Sequence, residues 1–254
     1  MTTELIILCL AAFAAGFVDA IIGGGGLIQT PATLITFPKE PVALLLGTTK
    51  IPSFTGTSMA FFTYAKRVAI RWKLLIIICS LALPAALFGS YIVTHVSNIY
   101  MKPVILIVLI IVAVYTYTKK SFGITDTHKS GTDKEYFLAA IFAVCIGFYD
   151  GFIGPGAGSF MAVFFISMMG FDFLKASAHA KLVNLSTNLG SIILFGFKGL
   201  IIWKIAIPMA ICNLIGASLG VKLAILKGNK FIRVFFLSIV ILTIVRFSYD
   251  IFFK

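Results

Sequence analysis

Four ionisable residues stand inside long apolar stretches of this sequence: Asp19, Lys50, Asp150 and Lys181. A charged side chain at membrane depth is costly, so each of them is a candidate for function if those stretches cross a membrane. The two ammonium groups could hold an anion, and one carboxylate could take up and release a proton. The four residues therefore predict a site that binds or moves charge.

Each lysine begins a stripe of polar residues at helical spacing. Lys50 is followed by Ser53 and Thr57, three and seven positions later, which places all three on one helix face. The matching stripe of the second half consists of Lys181, Asn184 and Asn188. Two interpretations stay open. Either the acid and the lysine of each half pair and hold a broken helix against its neighbour, or the stripes line a pathway while one carboxylate carries a proton.

Glycine-rich segments interrupt the apolar runs beside both acids: GFVDAIIGGGG at 16–26 and GFYDGFIGPGAGS at 147–159. Glycine permits tight turns, and a turn at membrane depth requires protein or water around it. Short helices starting near Leu27 and Gly158 would then direct unpaired N–H groups and positive dipole ends at the turn, which favours an anion. The candidate contacts at the turns are Gly23, Gly24, Gly25, Gly26, Gly154, Gly156, Ala157, Gly158 and Ser159.

Close helix packing is the alternative explanation for small residues. It is the one we favour for the pairs Ala86 with Gly89 and Ala217 with Gly220, which have no acid beside them.

The composition predicts the elements that position these residues. The chain of 254 residues is 60% hydrophobic and 12% charged, with a mean hydropathy of +1.07, which indicates a polytopic membrane protein. The apolar stretches are 41–65, 71–94, 100–118, 173–197, 203–225 and 231–251, with two longer ones, 4–37 and 135–170, broken by glycine. The net charge of +12 comes from connectors beside these spans. Anionic lipid headgroups explain it better than nucleic acid does.

The two halves of the chain repeat one another at an offset of 131 residues. GFVDAIIGGG at 16–25 reappears as GFYDGFIGPG at 147–156, and Lys50, Trp72 and Gly89 recur in the same register without a gap. We therefore predict a first transmembrane repeat at 1–123, a polar cytoplasmic linker at 124–134 and a second repeat at 135–254.

Loop charges predict how the halves are oriented. The connector 66–73 carries four basic residues, whereas its counterpart 198–204 carries two and the following segment 222–233 carries four. Basic loops stay in the cytoplasm, so this shift by one connector indicates opposite orientations. The prediction is an all-α polytopic membrane protein of two inverted-topology repeats. Each repeat has one broken or re-entrant helical element plus three full transmembrane helices.

Other chemistry is not indicated. The four cysteines lie in apolar segments without CxxC spacing and are interpreted as small buried hydrophobic residues. No phosphate-binding loop or HExxH motif occurs, and the three histidines lack ligand spacing, so we expect no catalytic residue, metal or cofactor. His179, near the second motif, is interpreted as a packing or hydrogen-bonding residue. The opening segment MTTELIILCL lacks the basic region of a cleaved signal peptide, so we expect it to remain in the mature protein.

The segments GFVDAIIGGGG, GTTK, GFYDGFIGPGAGS and KLVNLSTNLGSIILF…KGLIIWK resemble the sulfite exporter TauE/SafE family of bacterial membrane transporters. The resemblance implies a permease of the inner membrane for small sulfur-containing anions such as sulfite, thiosulfate or sulfoacetate, working without ATP and coupled to protons. The match is looser in the first half, where Leu27 and Ile28 stand opposite Gly158 and Ser159. We therefore expect the second turn to supply more hydrogen bonds to a shared substrate.

The functional prediction is a secondary transporter for a small anion, with lipids and protons as the other partners. The sequence leaves a homo-oligomer open. A permease for a metal or other cation is the first alternative, although we expect a pathway for cations to require more than two intramembrane carboxylates. A membrane-embedded enzyme acting on lipid and a sensor without transport are the others.

Overall fold

The computed structural model of the protein describes residues 2–118, 133–227 and 245, and these residues form helices without a β-strand. The helices are α1 (Thr2–Ile22), α2 (Gly26–Thr36), α3 (Val42–Ala65), α4 (Trp72–Val93), α5 (Asn98–Thr118), α6 (Asp133–Phe152), α7 (Ala157–Ser167), α8 (Phe173–Phe197) and α9 (Trp203–Lys227). The predicted linker up to residue 132 lies outside the described residues, as does the predicted span 231–251 except for Val245.

Among the described residues, five helices are long and apolar enough to cross a membrane: α1, α4, α6, α8 and α9. Their outward faces are apolar, with large exposed side chains such as Leu10, Ile76, Phe137 and Ile211. Such surfaces suit lipid rather than water. The chain is a multi-pass membrane protein, as predicted from its composition.

Helix boundaries follow the repeat found in the sequence. α2, α3 and α4 begin at Gly26, Val42 and Trp72, and α7, α8 and α9 each begin 131 residues later. Helical breaks fall at 23–25 and 153–156, where the glycine motifs predicted them. We call the segments 23–26 and 153–159, which include the first residues of the short helices that follow, the first turn and the second turn. These short helices start one residue before the predicted Leu27 and Gly158.

Helices from the two halves pack against each other in a reciprocal pattern. The carbonyls of Phe13 and Phe17 in α1 approach Gly216 and Gly220 in α9, so these helices run parallel. The same relation holds between α4 and α6, where Gly147 lies on Ala82 and Gly151 on Ala86. The Ala86/Gly89 and Ala217/Gly220 pairs thus lie at helix interfaces, which confirms their interpretation as packing residues.

The directions of the remaining long helices follow from contacts along their length. α3 runs parallel to α9, since Thr48 binds the N–H of Ile202 and Thr55 approaches Ala210. α8 runs parallel to α4, through contacts of Leu182 with Cys79 and of Gly190 with Leu83. α3 and α8 pass antiparallel at the centre, with Gly47 on Phe195 and Thr57 on Asn184. Consequently α1, α3 and α9 point one way, and α4, α6 and α8 point the other.

One stability prediction tests this interface. A Cβ at Gly190 of α8 would collide with the Leu83 carbonyl of α4, whereas a Cβ at exposed Gly196 of the same helix would find only a contact at 4.0 Å. We expect Gly190→Ala to lower the free energy of unfolding by about 1–3 kcal/mol through overpacking. Gly196→Ala, the matched control, should leave it unchanged or raise it by up to about 1 kcal/mol. Thermal unfolding in detergent measures both, and equal effects would contradict the α4–α8 packing.

Candidate functional site

The two glycine turns meet at the centre of the protein. α2 folds back along α1, with Ala32 and Phe37 beside the cluster around Leu8, so α1 and α2 form a hairpin whose tip is the first turn. The tip touches the second turn: Gly23 lies against the backbone of Gly158. The Ser159 hydroxyl donates a hydrogen bond to the carbonyl of Gly23.

Backbone geometry explains why glycine occupies these turns. Gly23, Gly24, Gly154 and Gly156 have φ values of 76°, 128°, 90° and 83°, in the region that residues with a Cβ rarely adopt. At Gly23 a Cβ would also collide with Gly158. The glycines therefore serve both the reversal of the chain and the contact between the hairpin tips.

The ion pairs at the site cross from one half to the other. Lys50 Nζ lies 3.1 Å from Asp150 Oδ1, and Lys181 Nζ lies 2.7 Å from Asp19 Oδ2. The interpretation in which acid and lysine pair within each half is therefore wrong. The antiparallel passage of α3 and α8 places each lysine beside the hairpin tip of the other half, which is why the partners are exchanged.

Each lysine also binds a helix end. Lys50 Nζ donates to the Asp150 carbonyl oxygen at 2.7 Å, near the C-terminus of α6, and Lys181 donates to the Asp19 carbonyl near the C-terminus of α1. Carbonyls at a helix C-terminus carry the negative end of the helix dipole. Both ammonium groups thus have a carboxylate and a helix end as partners. This arrangement offsets the desolvation of side chains that are only 8% and 4% exposed.

A small cavity lies between the turns and the two polar stripes. Its volume, taken as the space that the centre of a water molecule can occupy, is about 40 Å³. This is several times the volume that a single buried water molecule needs. Twelve of the predicted residues line it: Asp19, Gly24, Gly26, Lys50, Ser53, Asp150, Gly154, Gly156, Ala157, Gly158, Asn184 and Asn188.

Five predicted contacts do not line the cavity. Gly23 and Ser159 bond to each other across the turns, and Gly25 packs on Asp19. Lys181 and Thr57 instead contact Asp19. These residues form the support behind the cavity wall.

Four lining residues were not among those predicted: Thr30, Leu46, Thr49 and Ile153. Helical spacing could have found three of them, because Thr30 follows Gly26 by four positions, and Leu46 and Thr49 precede Lys50 and Ser53 by four. Ile153 carries no such signal, since it lies in the second turn, outside the helices.

Backbone donors differ between the two turns. The N–H groups of Gly24 and Gly25 donate to Asp19 Oδ1 at 3.0 and 3.2 Å, so the first turn already holds an anionic group from its own half. Over the described part of the chain, the N–H groups of Gly26, Gly156 and Gly158 have no hydrogen-bond acceptor, and all three residues line the cavity. Two of these three donors belong to the second turn.

Side-chain donors complete the cavity wall. Asn184 Oδ1 lies 3.2 Å from Thr57 Oγ1 and 3.0 Å from Asn188 Nδ2, which leaves the Asn184 amide NH₂ without a partner within the described residues. The Ser53 hydroxyl, also at the cavity, makes no hydrogen bond within the same residues. With Lys50, the wall therefore presents N–H and O–H donors to a small polar guest.

Among the described residues, no histidine or cysteine lines this cavity. The interpretation of the four cysteines as buried residues is wrong, because Cys145 is exposed and the other three are half-buried. His179 is fully buried at the start of α8, where its Nε2 accepts from the Arg71 N–H at 3.1 Å and its Nδ1 lies beside the Lys175 carbonyl. This confirms its interpretation as a hydrogen-bonding residue. Of the residues described, no three His, Cys, Asp or Glu side chains cluster as a metal site would require.

The chain is similar in sequence to a known protein family and to several known proteins. The profile of the sulfite exporter TauE/SafE family matches residues 8–247. "Probable membrane transporter protein ORF9" of Sinorhizobium sp is 35% identical over 97% of this chain and 93% of its own. "Probable membrane transporter protein YfcA" of Escherichia coli K12 is 33% identical over 89% of this chain and 83% of its own. A probable membrane transporter protein of Haemophilus influenzae is 32% identical over 90% and 88%.

No solved structure matches the chain significantly. The family match spans both turns and both lysines, and the three relatives are all named as probable membrane transporters. The resemblance noted in the sequence is thereby confirmed, and the chain belongs to the sulfite exporter TauE/SafE family of membrane transporters.

Proposed function

We propose that this protein is a secondary transporter of the bacterial inner membrane for a small sulfur oxyanion or organosulfonate, such as sulfite, thiosulfate or sulfoacetate. The observation that carries the proposal is the cavity between the two turns, whose wall offers N–H and O–H donors without a partner among the described residues, beside the Lys50 ammonium. Donors of this kind at a helix start suit an oxyanion. The size of the cavity suits a small one.

The same wall argues against the cation alternative. Cations such as Mg²⁺ or Ca²⁺ need oxygen ligands, foremost carboxylates. Both carboxylates at the cavity already accept hydrogen bonds from lysines. A cation would have to displace one ammonium group for each carboxylate that it met, whereas an anion meets donors that have no partner among the described residues.

We further propose that the repeats 1–123 and 135–254 have inverted topology. Supporting this, α1 and α6 point in opposite directions, as do α3 and α8, and α4 and α9. Phe164 of α7 stacks on Phe142 of α6, so α6 and α7 form a hairpin like that of α1 and α2. The two hairpins then enter from opposite sides and meet at the centre, which agrees with one broken element and three full spans per repeat. Alternating access would be a rocking of the two bundles around the cavity.

Transport assays test the function. We expect proteoliposomes that contain the purified protein to take up labelled thiosulfate or sulfoacetate when a proton gradient is directed inward. They should show no uptake of K⁺ or Mg²⁺. Protein-free liposomes provide the baseline. Cation uptake that anions fail to inhibit would favour the cation permease. A product formed from the lipid without flux would favour an enzyme.

Ligand binding offers an independent check of the substrate class. A ligand at a hundred times its dissociation constant stabilises the folded state by about 2.7 kcal/mol, so it raises the unfolding temperature. We expect such a rise in detergent with sulfite, thiosulfate or sulfonates. Carboxylates of equal size serve as the comparison set. If no sulfur compound raised the unfolding temperature, the substrate assignment would fail.

A further inference from the structure

The two ion pairs occupy equivalent places in the repeat but have unequal surroundings. Asp19 accepts from the N–H groups of Gly24 and Gly25 through Oδ1, and its Oδ2 lies 2.7 Å from Lys181 Nζ and 3.2 Å from Thr57 Oγ1. Among the described residues, the Asp150 carboxylate accepts only from Lys50 and from the Thr187 hydroxyl. Asp150 therefore depends on its lysine far more than Asp19 does.

Two differences between the turns remove the backbone donors. Pro155 stands where the first turn has Gly24, and proline has no N–H to donate to an acid. Gly156 stands where the first turn has Gly25, but its φ is 83° instead of −54°, and the N–H groups of Gly156 and Gly158 find no acceptor in the described part of the protein. In the first turn, the Asp19 carboxylate accepts hydrogen bonds from the backbone N–H groups at the corresponding positions.

Two further observations mark the second turn as the side that receives a ligand. Asn184 is only 7% exposed, lines the cavity and keeps its NH₂ group without a partner among the residues described. A buried donor left unpaired costs free energy until a ligand supplies an acceptor. In addition, Lys50 lines the cavity, while Lys181 lies behind its wall on Asp19.

We propose that the head group of the substrate anion binds the N–H groups of Gly156 and Gly158, the Asn184 amide and the Lys50 ammonium, and that Asp150, thereby parted from Lys50, takes up the coupled proton. This inference rests on the proposed function. The Asp19–Lys181 pair stays closed throughout and holds the first turn in shape.

The surroundings of Asp150 explain why it would take up a proton. Among described residues, Lys50 of α3 is the charged group in hydrogen-bond contact with it, and Thr187 of α8 is the other side-chain donor. The neighbouring Tyr149 directs its hydroxyl to the Pro155 carbonyl, and Ser90 of α4 binds the Gly151 carbonyl. Across the turns, Asp19 also lines the cavity. Without Lys50, a buried carboxylate is therefore left with one hydroxyl donor, which favours its neutral form.

The proton balance is simple. A proton from water adds to a carboxylate oxygen of Asp150 as the anion engages Lys50, and it leaves when the anion departs and Lys50 returns. One proton thus accompanies one anion in the same direction. No covalent bond to the substrate is formed or broken.

Proton uptake on binding tests the assignment in detergent-solubilised protein. Methanesulfonate and thiosulfate serve as probes because both remain ionised at neutral pH, so any proton taken up goes to the protein. We expect the wild type to take up one proton per anion bound, and its affinity to rise about tenfold per pH unit as the pH falls. Asp150→Asn should bind methanesulfonate with an affinity independent of pH. Asp150→Glu, the conservative variant, should retain the uptake at a shifted pH midpoint.

Glu40→Gln, which removes an exposed carboxylate away from the cavity, is the matched control and should keep the proton uptake of the wild type. The assignment is overturned if the wild type binds the anion without a proton, or if Asp150→Asn keeps the tenfold dependence. If Asp150→Asn does not fold, the wild-type proton count and the Asp150→Glu profile decide the question. Wild-type protein that binds neither probe refutes the proposed function instead, so the two failures are distinguishable.

Discussion

Replacement of Lys50 by methionine is expected to lower the free energy of unfolding by about 3–5 kcal/mol. The substitution leaves the Asp150 carboxylate, 3% exposed, buried without the ammonium that lies 3.1 Å away. Breaking a buried ion pair from one side has this large effect because the remaining charge is uncompensated. Asp150→Asn alone should act in the same direction, since it leaves the Lys50 ammonium without its carboxylate.

Double variants separate the crossed pairing from pairing within each half. Lys50→Met combined with Asp150→Asn removes both partners of one observed pair, so it should be more stable than Lys50→Met alone. Lys50→Met combined with Asp19→Asn removes one partner from each pair and should be less stable than either single variant. Thermal unfolding in detergent gives the ranking, with expression yield as a second readout. The reverse order would mean that the pairs form within the halves.

Substitution of Gly23 by alanine is expected to reduce transport by about a hundredfold, because it pushes the two turns apart. A Cβ at this position would run into the Gly158 backbone, and the φ value of 76° is itself strained for alanine. Displacement of a binding group by about 1 Å is enough for a loss of this size. Uptake of thiosulfate into proteoliposomes, normalised to inserted protein, measures it.

Gly199→Ala provides the control for backbone strain. Gly199 also has a positive φ, 67°, yet a Cβ there would meet nothing within 4 Å, and the residue lies in the exposed connector before α9. The two substitutions therefore share the conformational penalty but not the collision with the second turn. Transport by Gly199→Ala should stay within about twofold of the wild type. Equal losses in both variants would show that strain alone, rather than contact between the turns, limits transport.

Much of the architecture could be predicted because it depends on local chemistry. The glycine-rich segments predicted both turns, and glycines there adopt positive φ values. The repeat predicted where α7, α8 and α9 begin, since equal sequences form equal helices. Helical spacing also placed each lysine on one helix face with the polar residues that follow it, and Lys50, Ser53, Asn184 and Asn188 line the cavity. These features are set by residue type and by neighbours a few positions away.

The pairing of the charges could not be predicted in the same way. The two acids occupy equivalent positions in the two repeats and have similar neighbours in the sequence. Nothing local therefore tells a lysine's partner in its own half from one in the other half. The choice depends on α3 and α8 passing antiparallel at the centre. Likewise, the binding of Asp19 to the first-turn amides depends on the path of residues 23–25, which brings Gly24 and Gly25 back towards the carboxylate.

The residues alone predict a duplicated membrane protein, its two glycine turns, its four intramembrane charges and its family resemblance. The packing of the helices fixes which charges pair, Lys50 with Asp150 and Lys181 with Asp19, and brings the turns into contact at Gly23 and Gly158. The two kinds of feature differ because their interactions act over different ranges along the chain. Turn formation and helix spacing are local, whereas the partner of a buried charge is whichever opposite charge the packing of distant helices brings within hydrogen-bond reach.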